Sequence, residues 1–439
     1  MSRFTKVVEA ARRSVTPDEE ERERLSKLSS SIMAKTRASS RRFPEVRGVV
    51  LGGSYAKGTW LPHDVDIDVF VKLNPESTEE RFESVGLAIG SEVAAGYPRG
   101  KRFAQHPYTE ATIDGVKVNI VPCFDVQRGE WRSAADRSPY HVKLVKKIPE
   151  EQKTQIRLVK RMMKSVGVYG AEIERQGFSG YAAEVLTIDH HDLRGVIEYF
   201  AEYRPRSQDE QFVLPDPVDK NRDLAKAISR EKLARMIMAS RGFLSKPSPK
   251  YFSGLTGKRH SSLESALVGI AFEHEILSED TLWGELKRTL RRFSETSERE
   301  GFRIARSLAT TNGLTKSAFL FIPEVSSLPE LEQRVGPTLD LAPESSQFIL
   351  KNKSRAKLLW IGEDGRLRIL QRRRFTKLED FLKERVKNGG MDVGASRELA
   401  EGLSKTGRVL SPGQLRHLSR QAWLRRGVVE IVSDTSGAG

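Results

Sequence analysis

Two aspartates one residue apart, Asp66 and Asp68, stand in the segment Val65-Asp66-Ile67-Asp68-Val69-Phe70, shortly after Gly52-Gly53-Ser54-Tyr55-Ala56-Lys57-Gly58-Thr59-Trp60. The alternation of Val65, Ile67 and Val69 with the acids predicts a half-buried strand, which turns both carboxylates to one face and the aliphatic side chains into a core. Carboxylates so placed can share a divalent cation. Glycines in the preceding turn carry no Cβ, so backbone N–H groups can approach a phosphate closely, and the Ser54 hydroxyl adds a donor. Phosphate and metal then meet at one edge of a sheet, which is the pattern of a nucleotidyl-transfer site.

The elements that must position these groups follow from the flanking sequence. Residues from about 5 to 40 read as helical, with Thr16-Pro17-Asp18-Glu19 supplying an N-cap, a first-turn proline and acids for the helix dipole. The run Ser39 to Arg42 ends that stretch, and Val46 to Leu51 reads as a strand. Ala111 to Phe124 reads as a hairpin turning at Asp114-Gly115, with Val116, Val118 and Ile120 on one face and Asn119 opposite them. Glu150 to Gly170 has helical periodicity, Ile156, Val159, Met163 and Val166 forming an apolar stripe. Lys153, Arg157, Lys160, Arg161 and Lys164 lie elsewhere around it and make one edge basic.

Further on, Gly177-Phe178-Ser179-Gly180-Tyr181 caps a helix running through Val185 to Ile188, and the turn-rich Leu214-Pro215-Asp216-Pro217-Val218-Asp219 leads into a helix from near Asn221. Ser245 to Pro249 has the composition of a linker. Beyond it, strands at Ala266–Phe272, Phe302–Ala309 and Ser317–Val325 and a helix at Asp280–Glu300 suggest an α+β unit of split βαβ type. Arg355 to Gly390 is strongly basic, and its Arg372-Arg373-Arg374-Phe375 and Trp360 suit RNA backbone and stacking contacts. The small, polar stretch from Ser433 to Gly439 reads as a frayed terminus.

Composition narrows the function classes. Lys and Arg number 74 against 59 Asp and Glu, a formal charge of +15, which favours a polyanionic partner such as nucleic acid through counterion release. No apolar run approaches the roughly 18 residues of a membrane span, and the N-terminus lacks the apolar core of a signal peptide, so a cytoplasmic enzyme with no membrane partner is expected. The single cysteine, Cys123, excludes an internal disulfide or a cysteine-based zinc site, and its apolar neighbours suggest a buried small hydrophobe.

The glycine-serine turn followed by paired acids resembles the signature of the polymerase-β nucleotidyltransferase superfamily. Over most of its length the chain is similar to the archaeal-type, class I CCA-adding enzymes, the tRNA nucleotidyltransferases that build the 3′ CCA without a nucleic-acid template. The resemblance rests on residues 52–61, His106-Pro107-Tyr108, Val121-Pro122-Cys123, the run Ser133 to His141, and Tyr169-Gly170-Ala171-Glu172. It also rests on Gly177 to Tyr181, Asp216 to Asp219 with Arg222, and Gly336-Pro337.

This resemblance implies a multidomain α/β and α+β protein. A nucleotidyltransferase catalytic head would span residues 1–145 and a helical central nucleotide-pocket domain 146–250. An α+β RNA-binding body would span 251–345, a basic tail 346–390, and the C-terminal part of the body 391–439. Asp66 and Asp68 would bind two Mg²⁺ ions. Gly53, Ser54 and Lys57 would contact the incoming nucleotide, the lysine replacing an arginine often found there, with His141, Lys160 and Tyr169 as further CTP and ATP contacts. Arg222 would face the base. tRNA is the implied partner, and a homodimer the implied assembly.

Asn119 departs from the family pattern, which usually places a third carboxylate there. An amide coordinates metal only through a neutral oxygen and cannot accept the primer hydroxyl proton as an aspartate can. With two metals about 3.5–4 Å apart, its loss bears chiefly on the metal nearer the primer. Two other readings stay open: a transferase adding only A or only C to RNA 3′ ends, and a non-catalytic tRNA-binding homologue.

Overall fold

Alternating aliphatic residues build the sheet that carries the acids. In the computed structural model, which describes residues 1–103, 105–205, 210–254 and 257–434, its strands are Val46–Gly52 (β1), Asp66–Leu73 (β2), Arg99–Phe103 (β3), Pro107–Ile113 (β4) and Val116–Phe124 (β5). They lie in the order β1-β2-β5-β4-β3, with β2 and β5 parallel and every other pair antiparallel. Ile67, Val69 and Val71 of β2 and Val118 and Ile120 of β5 enter a core completed by Leu25, Ile32, Phe82 and Ile89. Side chains alternate across a strand, so Asp66, Asp68 and Asn119 are left on the opposite face. The hairpin turns at Asp114 and Gly115, with φ of 50° and 76°, as a two-residue loop with both central residues in the left-handed region requires.

The helical stretch expected from 5 to 40 is two helices, Arg3–Val15 (α1) and Glu19–Ser40 (α2). Asp18, not Thr16, is the N-cap of α2, its side chain accepting from the Glu21 N–H at 2.8 Å. Thr16 precedes a proline and is therefore held extended, which closes α1 instead. The glycine-serine turn is a short helix, Gly53–Lys57 (α3), and Glu79–Val93 (α4) packs with α2 on the core face of the sheet.

A second core is helical. Ser138–Lys146 (α5), Glu150–Ser165 (α6), Gly180–Asp189 (α7), Leu193–Glu202 (α8), Arg230–Ser245 (α9) and Lys250–Ser253 (α10) follow the sheet. Leu158, Met162, Val185, Ile197 and Phe243 pack there with Val7 and Val15, so α1 packs with the helical core and not with the sheet. The helix expected to reach Gly170 stops at Ser165, just before Gly167 with a φ of 72°. The helix expected near Asn221 is displaced: a single 3₁₀ turn covers Leu224–Ala227 and α9 begins at Arg230. Asp219 and Asp223 bond the N–H groups of Asn221 and Ala225, and such local side-chain bonds favour turns over helix.

The chain divides into two units, Met1–Gly257 and Lys258–Asp434. In the second, Val268–Glu273 (β6), Glu279–Arg299 (α11), Ile304–Thr311 (β7) and Lys316–Pro323 (β8) realise the split βαβ pattern, since β8 lies between β6 and β7 and antiparallel to both. Leu331–Thr338 (β9), Ala342–Asn352 (α12), Ala356–Ile361 (β10) and Arg366–Arg372 (β11) follow, and β9, β10 and β11 form a separate sheet. Leu378–Lys387 (α13), Arg397–Thr406 (α14), Arg408–Leu410 (β12), Pro412–Leu418 (α15) and Ala422–Ile431 (α16) end the unit, β12 pairing with the edge of β6. Phe319 and Phe321 face one core and Ala318 and Leu320 another, so this sheet is covered on both sides.

The arginines of the run face acids, Arg373 part-buried against Glu332 and the largely exposed Arg372 and Arg374 beside Glu330 and Glu384, and Phe375 packs on Phe381. Of the aromatics proposed for stacking, Phe375 is thus partly buried against the core. Residues 435–439 of the expected frayed terminus lie outside the described residues. Among the described residues no helix is long and apolar enough to cross a membrane.

Candidate active site

Asp68 of β2 stands directly beside Asn119 of β5 in the parallel register and opposite Gly52 of β1. The Asn119 amide nitrogen donates to Asp68 Oδ1 at 2.8 Å, and its Oδ1 is buried without a hydrogen-bond partner. The opposite flip would set amide oxygen against carboxylate oxygen, so Asp68 fixes the orientation. Burial raises the Asp68 carboxyl above its ordinary value, against the lowering effects of the Asn119 bond and of Lys57 and Lys117. Asp66 is raised as well, by burial first and by the charges of Asp68, Asp64 and Glu110, while Lys117 opposes. Gly53, at φ 63°, sits against this pair: a Cβ there would come within 1.8 Å of Asp68 Oδ2.

Among the described residues no three His, Cys, Asp or Glu side chains already form a metal-binding group. The donors nevertheless suit a hard divalent cation, since two carboxylates on one face resist ionisation without one and a neighbouring amide oxygen lacks a partner.

Behind the turn lies a buried charge cluster. Lys57 and Lys160 are 7% and 2% exposed, and both bond Glu184 of α7, at 2.8 and 2.7 Å. Thr59 Oγ1 donates to Glu184 Oε1 at 2.6 Å, while Lys160 Nζ also donates to the Thr59 carbonyl and hydroxyl. The basic edge expected on α6 is therefore partly interior: Lys160 and the almost fully buried Arg157 point inward, Arg157 bonding the Gly58 carbonyl. Burial pushes the Glu184 carboxyl up, but Lys160 and Lys57 outweigh it and hold it at about 2. Burial also lowers the Lys160 ammonium, with Glu184 opposing. Tyr169 is half-buried, its hydroxyl close to Gly180, and Lys164 lies 4.9 Å from its ring centre.

Asp216 organises the next cluster. It accepts from Tyr181 at 3.1 Å, from Arg222 at 3.2 Å and from the Val218 N–H at 2.8 Å, and it meets His141 Nε2 at 3.0 Å. These bonds overcome burial and keep the Asp216 carboxyl below its ordinary value. The His141 ring stacks on Tyr181 at 3.7 Å, and burial lowers its imidazole despite Asp216. Tyr181 also lies under Lys57, at 4.8 Å, so the two clusters touch. The loop is anchored to the sheet side by Arg128, bonded to the Pro217 and Val218 carbonyls, and by Arg137, bonded to Asp219.

The structure thus brings Gly53, Asp66, Asp68 and Asn119 together, joins Lys57 to Lys160, and joins His141 to Arg222. Ser54 lies half-buried on α3, next in the chain to Gly53. Glu184 and Thr59 were not anticipated from the sequence. A lone glutamate in a helix gives no signal by itself, although its place among Ala182, Ala183, Val185 and Leu186 marks it as a charge in an apolar helix that needs a partner.

Three family models match in succession: "Nucleotidyltransferase domain" over residues 34–154, "tRNA nucleotidyltransferase, second domain" over 154–253, and "CCA-adding enzyme, C-terminal domain" over 264–411. The CCA-adding enzyme of Methanopyrus kandleri is 31% identical, the alignment covering 94% of this chain and 92% of that protein. Those of Sulfolobus acidocaldarius and Pyrobaculum islandicum are 33% and 32% identical, covering 87% and 90% of this chain and 90% and 96% of theirs. With likeness of this extent running through both units, the chain belongs to the CCA-adding enzymes.

Proposed function

We propose that this protein adds CCA to the 3′ end of tRNA from CTP and ATP, releasing pyrophosphate at each step and using no nucleic-acid template. The observation that carries this reading is the similarity to CCA-adding enzymes over 94% of the chain. Two divalent cations, Mg²⁺ in this reading, would be held by Asp66 and Asp68 with Asn119 beside them, and would supply Lewis-acid stabilisation of the attacking and leaving oxygens. The terminal tRNA hydroxyl forms a bond to the α-phosphorus as the bond to the pyrophosphate oxygen breaks. Asn119 cannot take the hydroxyl proton, so that proton leaves to water.

Gly53 and Ser54 would receive the phosphates, and Lys57 would neutralise them. The three protons of Lys160 are engaged by Glu184 and Thr59, so it would contribute as a fixed positive charge. His141 and Tyr169 would line the nucleotide, and half-exposed Arg222 would present guanidinium donors to a base edge. Residues 1–145 serve in this reading as head and 146–250 as nucleotide-pocket domain. Residues 251–345 and 391–439 form the RNA-binding body and 346–390 the tail, in a cytoplasmic homodimer.

The test is a gel assay on tRNA transcripts ending before CCA, after C and after CC, each with CTP, ATP or both. CCA should be completed on the first and a single A added to the last. A long A tail, or use of one nucleotide only on all three ends, would assign the protein to A- or C-adding transferases instead.

A further inference from the structure

We propose that Glu110, on the strand next to Asn119, supplies the third negative charge of the metal site, acting through an intervening water. This rests on Asp66 and Asp68 holding a divalent cation. The register puts Asp68, Asn119 and Glu110 in one row across β2, β5 and β4. Residues paired across neighbouring strands project to the same face, so Glu110 shares the face of the acid pair, one strand spacing of about 4.8 Å beyond the amide. The adjacent row sets Asp66 beside Lys117. Lys117 Nζ lies 3.7 Å from Glu110 Oε2, and its charge acts on both Asp66 and Asp68. The protein therefore already places one cation between Glu110 and the acid pair.

Direct ligation by all three acids does not fit, because no three acidic or histidine side chains converge among the described residues. A water donating to Glu110 does fit: it extends the reach of a carboxylate that stands one strand too far. The present partners of Glu110, Arg102 at 2.9 Å and Lys117 at 3.7 Å, are each about half accessible while Glu110 itself is 20% accessible, so its carboxylate keeps a face to water and its charge is offset only in part. An amide at 119 and an acid at 110 thus divide between two strands what one aspartate would do alone.

Mn²⁺ binding to the full-length protein, without tRNA, reads this directly by electron paramagnetic resonance. Glu110→Gln should weaken Mn²⁺ affinity about tenfold, as loss of an outer carboxylate does elsewhere. Adding Asn119→Asp should gain about tenfold in that variant, restoring roughly the wild-type affinity, against only a few-fold in otherwise wild-type protein, a coupling that a merely structural glutamate would not give. Arg102→Gln, which breaks the same ion pair but keeps the carboxylate, should bind as tightly as wild type or tighter. Thermal melts would check that each variant is folded. If Asp68→Ala loses Mn²⁺ while Glu110→Gln binds normally, or if Arg102→Gln weakens binding as Glu110→Gln does, Glu110 has no part in the site. If Asp68→Ala itself binds Mn²⁺ normally, the metal reading of the acid pair fails and this proposal with it.

Discussion

The acid-bearing face of the sheet, on the interior strand β2, and the charge cluster behind the glycine turn treat charge in opposite ways. At Asp66 and Asp68 burial raises both carboxyls, and the protein offers an amide and a half-exposed lysine in partial compensation. At Glu184 two lysines and a threonine satisfy the carboxylate completely and hold it at about 2. One region is finished by the protein alone, whereas the other, in the function proposed above, is completed by the cation it binds. A site that must take up and release a cation and a triphosphate stays short of charge at the point of exchange and saturated where it only has to hold shape.

The widest break in this contrast comes from Asp66→Ala or Asp68→Ala. Each should reduce nucleotide incorporation about a thousandfold or more, the several kcal/mol that metal stabilisation supplies, while tRNA affinity in a filter-binding assay stays within about twofold. Normal turnover in either variant would remove the metal role. Glu184→Gln attacks the other side, leaving two buried ammonium groups without a counter-ion, and should cost about 3–5 kcal/mol in denaturant unfolding.

Acid titration sharpens the same difference. The folded-state carboxyl of Glu184 is depressed from 4.5 to about 2, so its stabilisation is complete above pH 4.5 and lost as pH falls toward 2. Glu184→Gln should lack that loss. For Asp66 and Asp68 the sign reverses: their raised values make ionisation oppose folding in metal-free protein, a penalty that grows as pH rises through them and that Mg²⁺ should remove.

Smaller effects test individual contacts. Arg222→Ala should reduce discrimination of CTP and ATP against UTP and GTP by about 10- to 100-fold, with tRNA binding little changed. Lys160→Ala should raise the KM for CTP and ATP alike, by about tenfold, and equal KM values in variant and wild type would confine Lys160 to a structural role. Asn119→Asp should lower the Mg²⁺ needed for half-maximal rate by a few-fold, seen at saturating tRNA and CTP. Unchanged Mg²⁺ dependence in both Asn119→Asp and Asn119→Ala would place position 119 outside the metal site.

Legibility followed the range of the interactions. The acid-bearing strand and the Asp114-Gly115 hairpin were readable because alternation and turn chemistry are written in adjacent residues. The partition of α6 was not: a stripe of four aliphatic residues left Lys160 to the surface, whereas α6 is enclosed on several sides and Lys160 meets Glu184 inside. The Lys57–Glu184 contact joins residues 127 apart in sequence, a separation no local pattern reports. At Thr16 and Asn221 the local signs were present but competed, and the proline and the side-chain-bonded aspartates decided them. The resemblance to a family supplied the expected roles of His141 and Arg222, while the link that Asp216 makes between them is visible only in three dimensions.

Gly53 has a consequence for how the proposed site loads. A Cβ at Gly53 would reach within 1.8 Å of Asp68, so the turn proposed to receive phosphate lies directly against the strand proposed to bear metal, and a shift of one bears on the other. Occupancy of one is then thermodynamically linked to occupancy of the other, and linkage is reciprocal. Raising CTP should tighten the apparent affinity for Mg²⁺ by the same factor by which raising Mg²⁺ tightens that for CTP. Nucleotide and metal would thus load as a single cooperative unit, so that a turn emptied of pyrophosphate also loosens its hold on the cation and clears the site for the next addition.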